Sequence, residues 1–96
     1  MNYEQMLFTN LSEECAEAIQ ACSKIIRFGI DSDFTGISNR DQLTKELNDI
    51  MAVIELLRIK GVYDYSASDN KEEIELAINK IEKFNRLSEY SGFIRS

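Results

Sequence analysis

Residues 7–29 read LFTNLSEECAEAIQACSKIIRFG, and this stretch predicts a long amphipathic α-helix. Its apolar and small residues recur three and four positions apart, as they do along one face of an α-helix. The stripe comprises Leu7, Leu11, Glu14, Ala18, Ala21, Cys22 and Ile25. Gly29 suits the position just beyond a helix, because glycine adopts a positive φ without strain. We therefore predict a first helix over residues 2–28.

Two further helical patterns follow. Asn39 and Gln42 resemble a capping box that opens a second helix over residues 40–60. Its apolar stripe comprises Leu43, Leu47, Ile50, Val53, Ile54 and Leu57. Asp69 and Glu72 offer a cap for a third helix that ends near Tyr90. The face that we expect to point inward carries Ile74, Ala77, Ile78, Ile81, Phe84 and Ser88.

These patterns predict an all-α chain with one domain over residues 1–96, since no strand-like alternation interrupts them. A chain of 96 residues builds only a small core. The first helix is also too long for its partners to cover all of its stripe. We therefore expect an antiparallel helical bundle that is completed by homodimerisation.

The composition excludes several kinds of partner. A net charge of −6 without a basic stripe argues against binding to a nucleic-acid polymer. No apolar run is long enough for a membrane span, and the acidic start of the chain lacks the basic region of a signal peptide. Cys15 and Cys22 lie about 10 Å apart along one helix, too far to form a disulfide with each other. We expect a cytoplasmic protein with both cysteines as small core residues.

The acidic residues form two pairs at helical spacing. Glu14 and Glu17 lie three residues apart in the first helix, and Glu46 and Asp49 do so in the second. Residues three apart share one face of a helix, so each pair would meet the other where the two helices pack. A single such pair is normally solvated surface, but two pairs at the edges of core-facing stripes favour a cation site.

The residue types at this site indicate the metal. Carboxylate oxygens favour hard ions, Mg²⁺ first and Mn²⁺ as a possible substitute. The chain has no histidine, which argues against a ferritin-like di-iron site and against histidine-dependent nucleophilic catalysis. Because Mg²⁺ usually binds a few carboxylates together with substrate phosphates, the pattern predicts a phosphorylated small molecule as ligand.

The motif Glu13-Glu14-x-x-Glu17, followed after 28 residues by Glu46-x-x-Asp49, resembles the signature of the MazG-like all-α nucleoside triphosphate pyrophosphohydrolases. The resemblance covers roughly residues 8–60 and is fuller to the short phage and bacterial members. It implies Mg²⁺-dependent cleavage of a nucleoside triphosphate or deoxynucleoside triphosphate to the monophosphate and pyrophosphate. It also implies a dimer or tetramer.

By this resemblance the metal ligands are Glu14, Glu17, Glu46 and Asp49. Glu13 corresponds to the acid that orients or deprotonates the attacking water. Lys24 lies on nearly the same face as Glu17, so its ammonium is a candidate phosphate ligand, as is the nearby Arg27. In the third helix Lys83 belongs to a basic element resembling the family's, although the arginine that follows it is displaced by one position.

Some alternatives stay open at this point. Lys24 and Arg27 are equally compatible with a solvated helix flank. Three aromatic residues are candidates for stacking on a base, namely Phe34, Phe8 and Tyr3. The whole chain is alternatively a non-catalytic helical dimerisation module, or an enzyme similar to phosphoribosyl-ATP pyrophosphatase. Glu14 within an apolar stripe argues against a pure dimerisation helix, where Leu or Ala would be favoured.

Overall fold

Three α-helices and one short 3-10 helix make up the computed structural model, which describes residues 1–33 and 35–92. In chain order they are α1 (Tyr3–Phe28), α2 (Asn39–Ile59), the 3-10 helix (Ala67–Asn70) and α3 (Lys71–Tyr90). No β-strand occurs in the described residues. The prediction of an all-α chain is confirmed. The predicted helix ends differ from the observed ones by only a residue or two, as is usual for helix ends.

The chain forms two compact units, Met1–Asp64 and Tyr65–Ser96. The first unit contains α1 and α2, which pack on each other in opposite directions. The second unit contains the 3-10 helix and α3. A single domain over the whole chain stays a prediction. The antiparallel hairpin of the first unit is the element that positions the candidate site.

Both ends of α1 are stabilised by local hydrogen bonds. The side chain of Asn2 accepts a hydrogen bond from the backbone N–H of Gln5 at 2.8 Å, and the Gln5 side chain accepts one from the backbone of Asn2 at 3.0 Å. This reciprocal capping box satisfies two donors at the start of the helix. Gly29, with φ of 94°, ends α1 as predicted, and its N–H donates to the carbonyl of Ile25.

The predicted cap of α2 is wrong by one residue. Ser38, not Asn39, precedes the helix, and its hydroxyl accepts a hydrogen bond from the backbone N–H of Asp41 at 3.1 Å. Asn39 is instead the first residue of α2 and is buried. Its side-chain amide donates to the carbonyl of Gly29 at 2.9 Å. Asn39 thus hydrogen-bonds to a carbonyl at the end of α1 instead of to the N-terminus of its own helix.

A small apolar cluster holds the hairpin together. Leu7 of α1 packs against Val53 and Leu57 of α2, and Leu57 is fully buried. Leu11 and Val62 are partly buried against the same cluster. Burying one leucine side chain contributes about 1.5–3 kcal/mol, so the cluster stabilises the antiparallel pairing.

Three residues that the sequence places in the core lie outside it. Leu47 is 49% exposed on α2, and Cys15 and Cys22 are exposed on α1, so the expectation that the cysteines belong to the core is wrong. Each lies about one residue, or 100°, around its helix from a position that faces the partner helix. Both cysteines carry free thiols.

The second unit leaves most of its apolar surface exposed. The predicted cap at Asp69 is wrong, because Asp69 lies inside the 3-10 helix and no side chain caps α3. Ile78, Ile81 and Phe84 were expected to point inward, yet each is about half exposed. Among the described residues of its own unit, the 3-10 helix is the only element that contacts α3, and this face stays largely exposed. None of the helices in the described residues has the length and apolar character needed to span a membrane.

Candidate metal centre

Four carboxylates converge between α1 and α2. Glu14 and Glu17 lie one turn apart on α1, and Glu46 and Asp49 do so on α2. Because the helices are antiparallel and paired at Leu7 and Leu57, the two pairs meet near the middle of the hairpin. One carboxylate oxygen from each residue lies within 4.8 Å of those of the other three. The structure therefore brings together the four acids that the sequence predicts as metal ligands.

The four acids differ in exposure. Glu46 is almost completely buried, with 4% of its surface exposed. Glu14 and Asp49 are half-buried, and Glu17 is exposed. The cluster is thus open to solvent on the side of Glu17 and closed on the side of Glu46. Such an arrangement leaves a route by which a ligand from solvent can reach a buried carboxylate.

Two carboxylate oxygens in this cluster lack a partner. The Oε2 atoms of Glu14 and Glu46 are buried, and no hydrogen-bond donor among the described residues reaches them. A buried, ionised carboxylate without a partner is costly, and other carboxylates nearby add repulsion. A bound cation would offset both effects. The donor set and these orphaned oxygens fit a hard divalent ion such as Mg²⁺.

The neighbouring carboxyl groups change the pKa of Glu17. Contact with the carboxyl of Glu46, to which protonated Glu17 donates a hydrogen bond, raises the pKa of Glu17 above its ordinary value. The negative charges of Glu14 and Glu46 and a small loss of solvation raise this pKa further, while the ammonium of Lys45 lowers it. The direction of this shift follows from the closeness of the carboxylates.

Lys45 and Gln42 touch the cluster, although the sequence reasoning did not single them out. The ammonium of Lys45 lies 3.1 Å from Asp49 Oδ2 and 3.8 Å from Glu46 Oε1. The hydrogen bond to Asp49 raises the pKa of Lys45, and the charge of Glu46 adds to this. Gln42 donates a hydrogen bond from Nε2 to Glu46 Oε1 at 2.5 Å. Gln42 lies four residues before Glu46, and Lys45 lies four residues before Asp49. Because side chains four residues apart are neighbours on a helix, this spacing could have identified Gln42 and Lys45 from the sequence.

The other predicted site residues do not join the carboxylate cluster. Glu13 is exposed on α1, one residue from Glu14. Arg27 is exposed, and its guanidinium lies 4.9 Å from the ring centre of Phe28. Lys83 is exposed on α3, in the second unit. The predicted roles of these residues toward a substrate stay predictions.

A pocket of about 250 Å³ opens in the first unit, between the end of α1 and the start of α2. Its lining residues are Lys24, Phe28, Thr35, Ile37, Asn39 and Gln42. Lys24 is the only predicted substrate ligand among them. Phe28 was not among the aromatic candidates: Phe34 lies outside the described residues, and Phe8 and Tyr3 are exposed near the start of the chain.

Comparison of the chain with models of protein families, with curated proteins and with solved structures found no match. The likeness to the MazG-like enzymes therefore rests on the sequence motifs alone. The geometry of the carboxylate cluster is an independent observation, because it follows from how α1 and α2 pack.

Proposed function

We propose that the protein is a Mg²⁺-dependent nucleoside triphosphate pyrophosphohydrolase of the MazG-like type. The observation that carries the proposal is the meeting of four carboxylates, two of which have a buried oxygen that no donor in residues 1–33 and 35–92 reaches. The four residues are Glu14, Glu17, Glu46 and Asp49. Acidic residues of a solvated surface are normally exposed, so such a surface does not explain why Glu46 is buried beside other acids. A cation site explains it, because the bound ion compensates the lost solvation of the carboxylate and the repulsion between the acids.

The type of ligand set supports a phosphate substrate. All four candidate ligands are carboxylates, and no histidine or neutral nitrogen ligand accompanies them. When bound, Mg²⁺ would supply charge neutralisation of the phosphate oxygens, with Mn²⁺ as a substitute. Lys24, which lines the nearby pocket, would add a second positive charge for the triphosphate.

The proposed reaction is an attack of water on the α-phosphorus. The water oxygen forms a bond to phosphorus, the bond from this phosphorus to the oxygen bridging to the β-phosphate breaks, and pyrophosphate leaves. Glu13, exposed beside the cluster, would accept the proton released by the water. The products are a nucleoside monophosphate, pyrophosphate and one proton.

The proposal includes a homodimer. Exposed apolar residues flank the packed faces of α1 and α2, among them Ile19, Ile26, Leu47 and Met51. Association of two hairpins into a four-helix arrangement would cover such flanks. A non-catalytic dimerisation module would share this surface, but it does not account for the buried carboxylates, so we favour the enzyme.

Incubation with common ribonucleoside and deoxyribonucleoside triphosphates tests the reaction. With Mg²⁺ we expect monophosphate and pyrophosphate in equal amounts, and with EDTA no turnover. Release of orthophosphate as the first product would contradict cleavage at the α-phosphorus. Turnover restricted to phosphoribosyl-ATP would instead favour the related pyrophosphatase.

Substitution of a candidate ligand tests the site. We expect Glu46→Gln and Asp49→Asn to lower kcat by at least about a hundredfold, because each removes a charge that holds the cation. The matched control is Glu75→Gln, an exposed acid of α3, which should leave turnover unchanged. Full activity in both site variants, with helicity intact by circular dichroism, would refute the assignment.

A further inference from the structure

We propose that the pocket between the end of α1 and the start of α2 binds the nucleobase of the substrate, an inference that rests on the proposed function. The pocket is separate from the carboxylates: none of its lining residues belongs to the acidic cluster. It has a volume of about 250 Å³, slightly below the range of pockets that hold a whole drug-sized ligand. A single base with part of its sugar is therefore a better match than an entire nucleotide.

The lining chemistry suits a base. Phe28 and Ile37 supply apolar walls, and an aromatic ring is a favourable surface for a base to stack on. Asn39 and Gln42 supply side-chain amides, which carry both donors and acceptors as base edges do. A mostly apolar pocket with a few placed polar groups is the usual form of a small-molecule site.

The pocket adjoins the carboxylate cluster through Gln42. Gln42 lines the pocket and also donates to Glu46 Oε1 at 2.5 Å. Lys24 lines the pocket too, two turns beyond Glu17 on α1, which is about 10 Å along the helix axis. If the base of a nucleotide lies in the pocket, its phosphates would therefore extend past Lys24 toward the carboxylate cluster. This order of groups matches the order base, sugar, phosphates in a nucleotide.

One wall of the pocket is held in place by the fold. Asn39 is 8% exposed, and its amide nitrogen donates to the carbonyl of Gly29 at the end of α1. This hydrogen bond links the two helix ends that border the pocket. A wall fixed before binding lowers the entropic cost of ordering the site around a ligand.

The test separates the base from the phosphates. Binding to the full chain is measured by calorimetry with Mg²⁺, using the α,β-methylene analogues of the four common deoxynucleoside triphosphates and inorganic tripolyphosphate, which has no base. We expect at least one nucleotide to bind about tenfold more tightly than tripolyphosphate, as one stacked base would provide.

The key variant is Thr35→Trp, which fills the pocket from an exposed position. It should remove the preference for the nucleotide while tripolyphosphate binding stays within about twofold, a difference of less than 0.5 kcal/mol. Thr44→Trp, at an exposed position of α2 outside the pocket, is the matched control and should keep the preference.

Any of the following outcomes would contradict the inference that the pocket binds the base. If the wild type binds nucleotide and tripolyphosphate equally, or if Thr35→Trp leaves the preference intact, the base lies elsewhere although the metal site stands. An equal loss of both ligands in Thr35→Trp would also place the base elsewhere. If neither ligand binds with Mg²⁺, the proposed function fails, and the base site fails with it.

Discussion

Glu46 combines two properties that are normally incompatible in one residue. It is buried, and it lies among three other carboxylates. Its Oε1 accepts a hydrogen bond from the amide of Gln42 and lies 3.8 Å from the ammonium of Lys45, whereas no donor among the described residues reaches its Oε2. Burial of a charge that is incompletely paired destabilises a fold, so this residue is better explained by ligand binding than by stability.

The raised pKa of Glu17 predicts a pH dependence of stability in the metal-free protein. A carboxyl whose pKa is higher in the folded than in the unfolded state adds stability at low pH, when it is protonated in both states. That contribution is lost as the pH rises through the folded pKa. The free energy of unfolding of the wild type, relative to Glu17→Gln, should therefore fall as the pH rises from the ordinary pKa of glutamate, about 4.3, through the raised pKa of the folded state.

Urea denaturation in EDTA at a series of pH values measures this difference. Asp31 and Glu55, whose pKa values are lowered by Arg40 and Arg58, have the opposite dependence but are present in both proteins and cancel. A constant difference between the two proteins across the range would show that Glu17 does not share the cluster. Added Mg²⁺ should raise the stability of the wild type at neutral pH more than that of Glu17→Gln.

Lys45 gives a second prediction at the residue scale. Its ammonium pairs with Asp49 and approaches Glu46. It therefore neutralises part of the negative charge that would otherwise attract a cation. Replacing it with a neutral residue should strengthen metal binding. We expect Lys45→Gln to lower the dissociation constant for Mn²⁺ by only about two- to fivefold, since ion pairs made by exposed lysines are weak.

Mn²⁺ titration followed by electron paramagnetic resonance checks this, because only free Mn²⁺ gives the full signal. Lys71→Gln, an exposed lysine of the second unit, is the control. Weaker binding in Lys45→Gln would mean that the lysine supports the site instead of competing with the ion.

At the scale of elements, the junction between α1 and α2 determines where both the pocket and the acids lie. Gly29 ends α1 with a positive φ, and Ser38 starts α2 through its hydroxyl. Asn39 joins the two ends through the carbonyl of Gly29, with a longer contact of 3.5 Å to the carbonyl of Lys24. Because both helices are continuous from this junction, it sets the register in which Glu14 and Glu17 meet Glu46 and Asp49.

Loss of the Asn39 amide should weaken this junction. We expect Asn39→Ala to lower the free energy of unfolding by about 1 kcal/mol, the usual cost of losing one partly buried hydrogen bond. Thermal and urea denaturation measure it. Asn48→Ala, at an exposed position of the same helix, should cause no loss, since alanine is the better helix former. Equal stability of the two variants would contradict the proposed role of Asn39.

At the scale of the whole molecule, the amount of exposed apolar surface is the main feature. Ile19 and Ile26 of α1 are 70% and 83% exposed, and the apolar face of α3 is about half exposed. Isolated exposed apolar residues are common, but faces that repeat along each helix indicate an interaction surface. A chain of this size also gains stability from association, because its own core is small.

This surface predicts a homodimer in solution. We expect light scattering coupled to gel filtration to give twice the chain mass at micromolar concentration. The double variant Ile19→Glu with Ile26→Glu should be monomeric, because two charges would be buried at the interface. Gln20→Glu, an exposed neighbour on α1, should remain dimeric. A monomeric wild type would refute the dimer while leaving the carboxylate site untouched.

The sequence alone determined the helices and the residues of the candidate metal centre. Helical periodicity and Gly29 are local signals, and a spacing of three residues places each acidic pair on one face whatever the helix packs against. For the same reason the pairing of Lys45 with Asp49 was open to prediction from the chain.

Only the tertiary structure decided which partner each polar group finds and which faces are covered. Asn39 hydrogen-bonds across to the end of α1 instead of capping its own helix, because packing brings the carbonyl of Gly29 within reach of its buried side chain. Phe28 joins Ile37 and Gln42 in one pocket only after the chain turns back on itself. Cys22 lies on an apolar stripe yet is exposed, because a stripe wider than the contact with α2 leaves one edge uncovered. These outcomes depend on contacts between residues far apart in the chain, which periodicity does not encode.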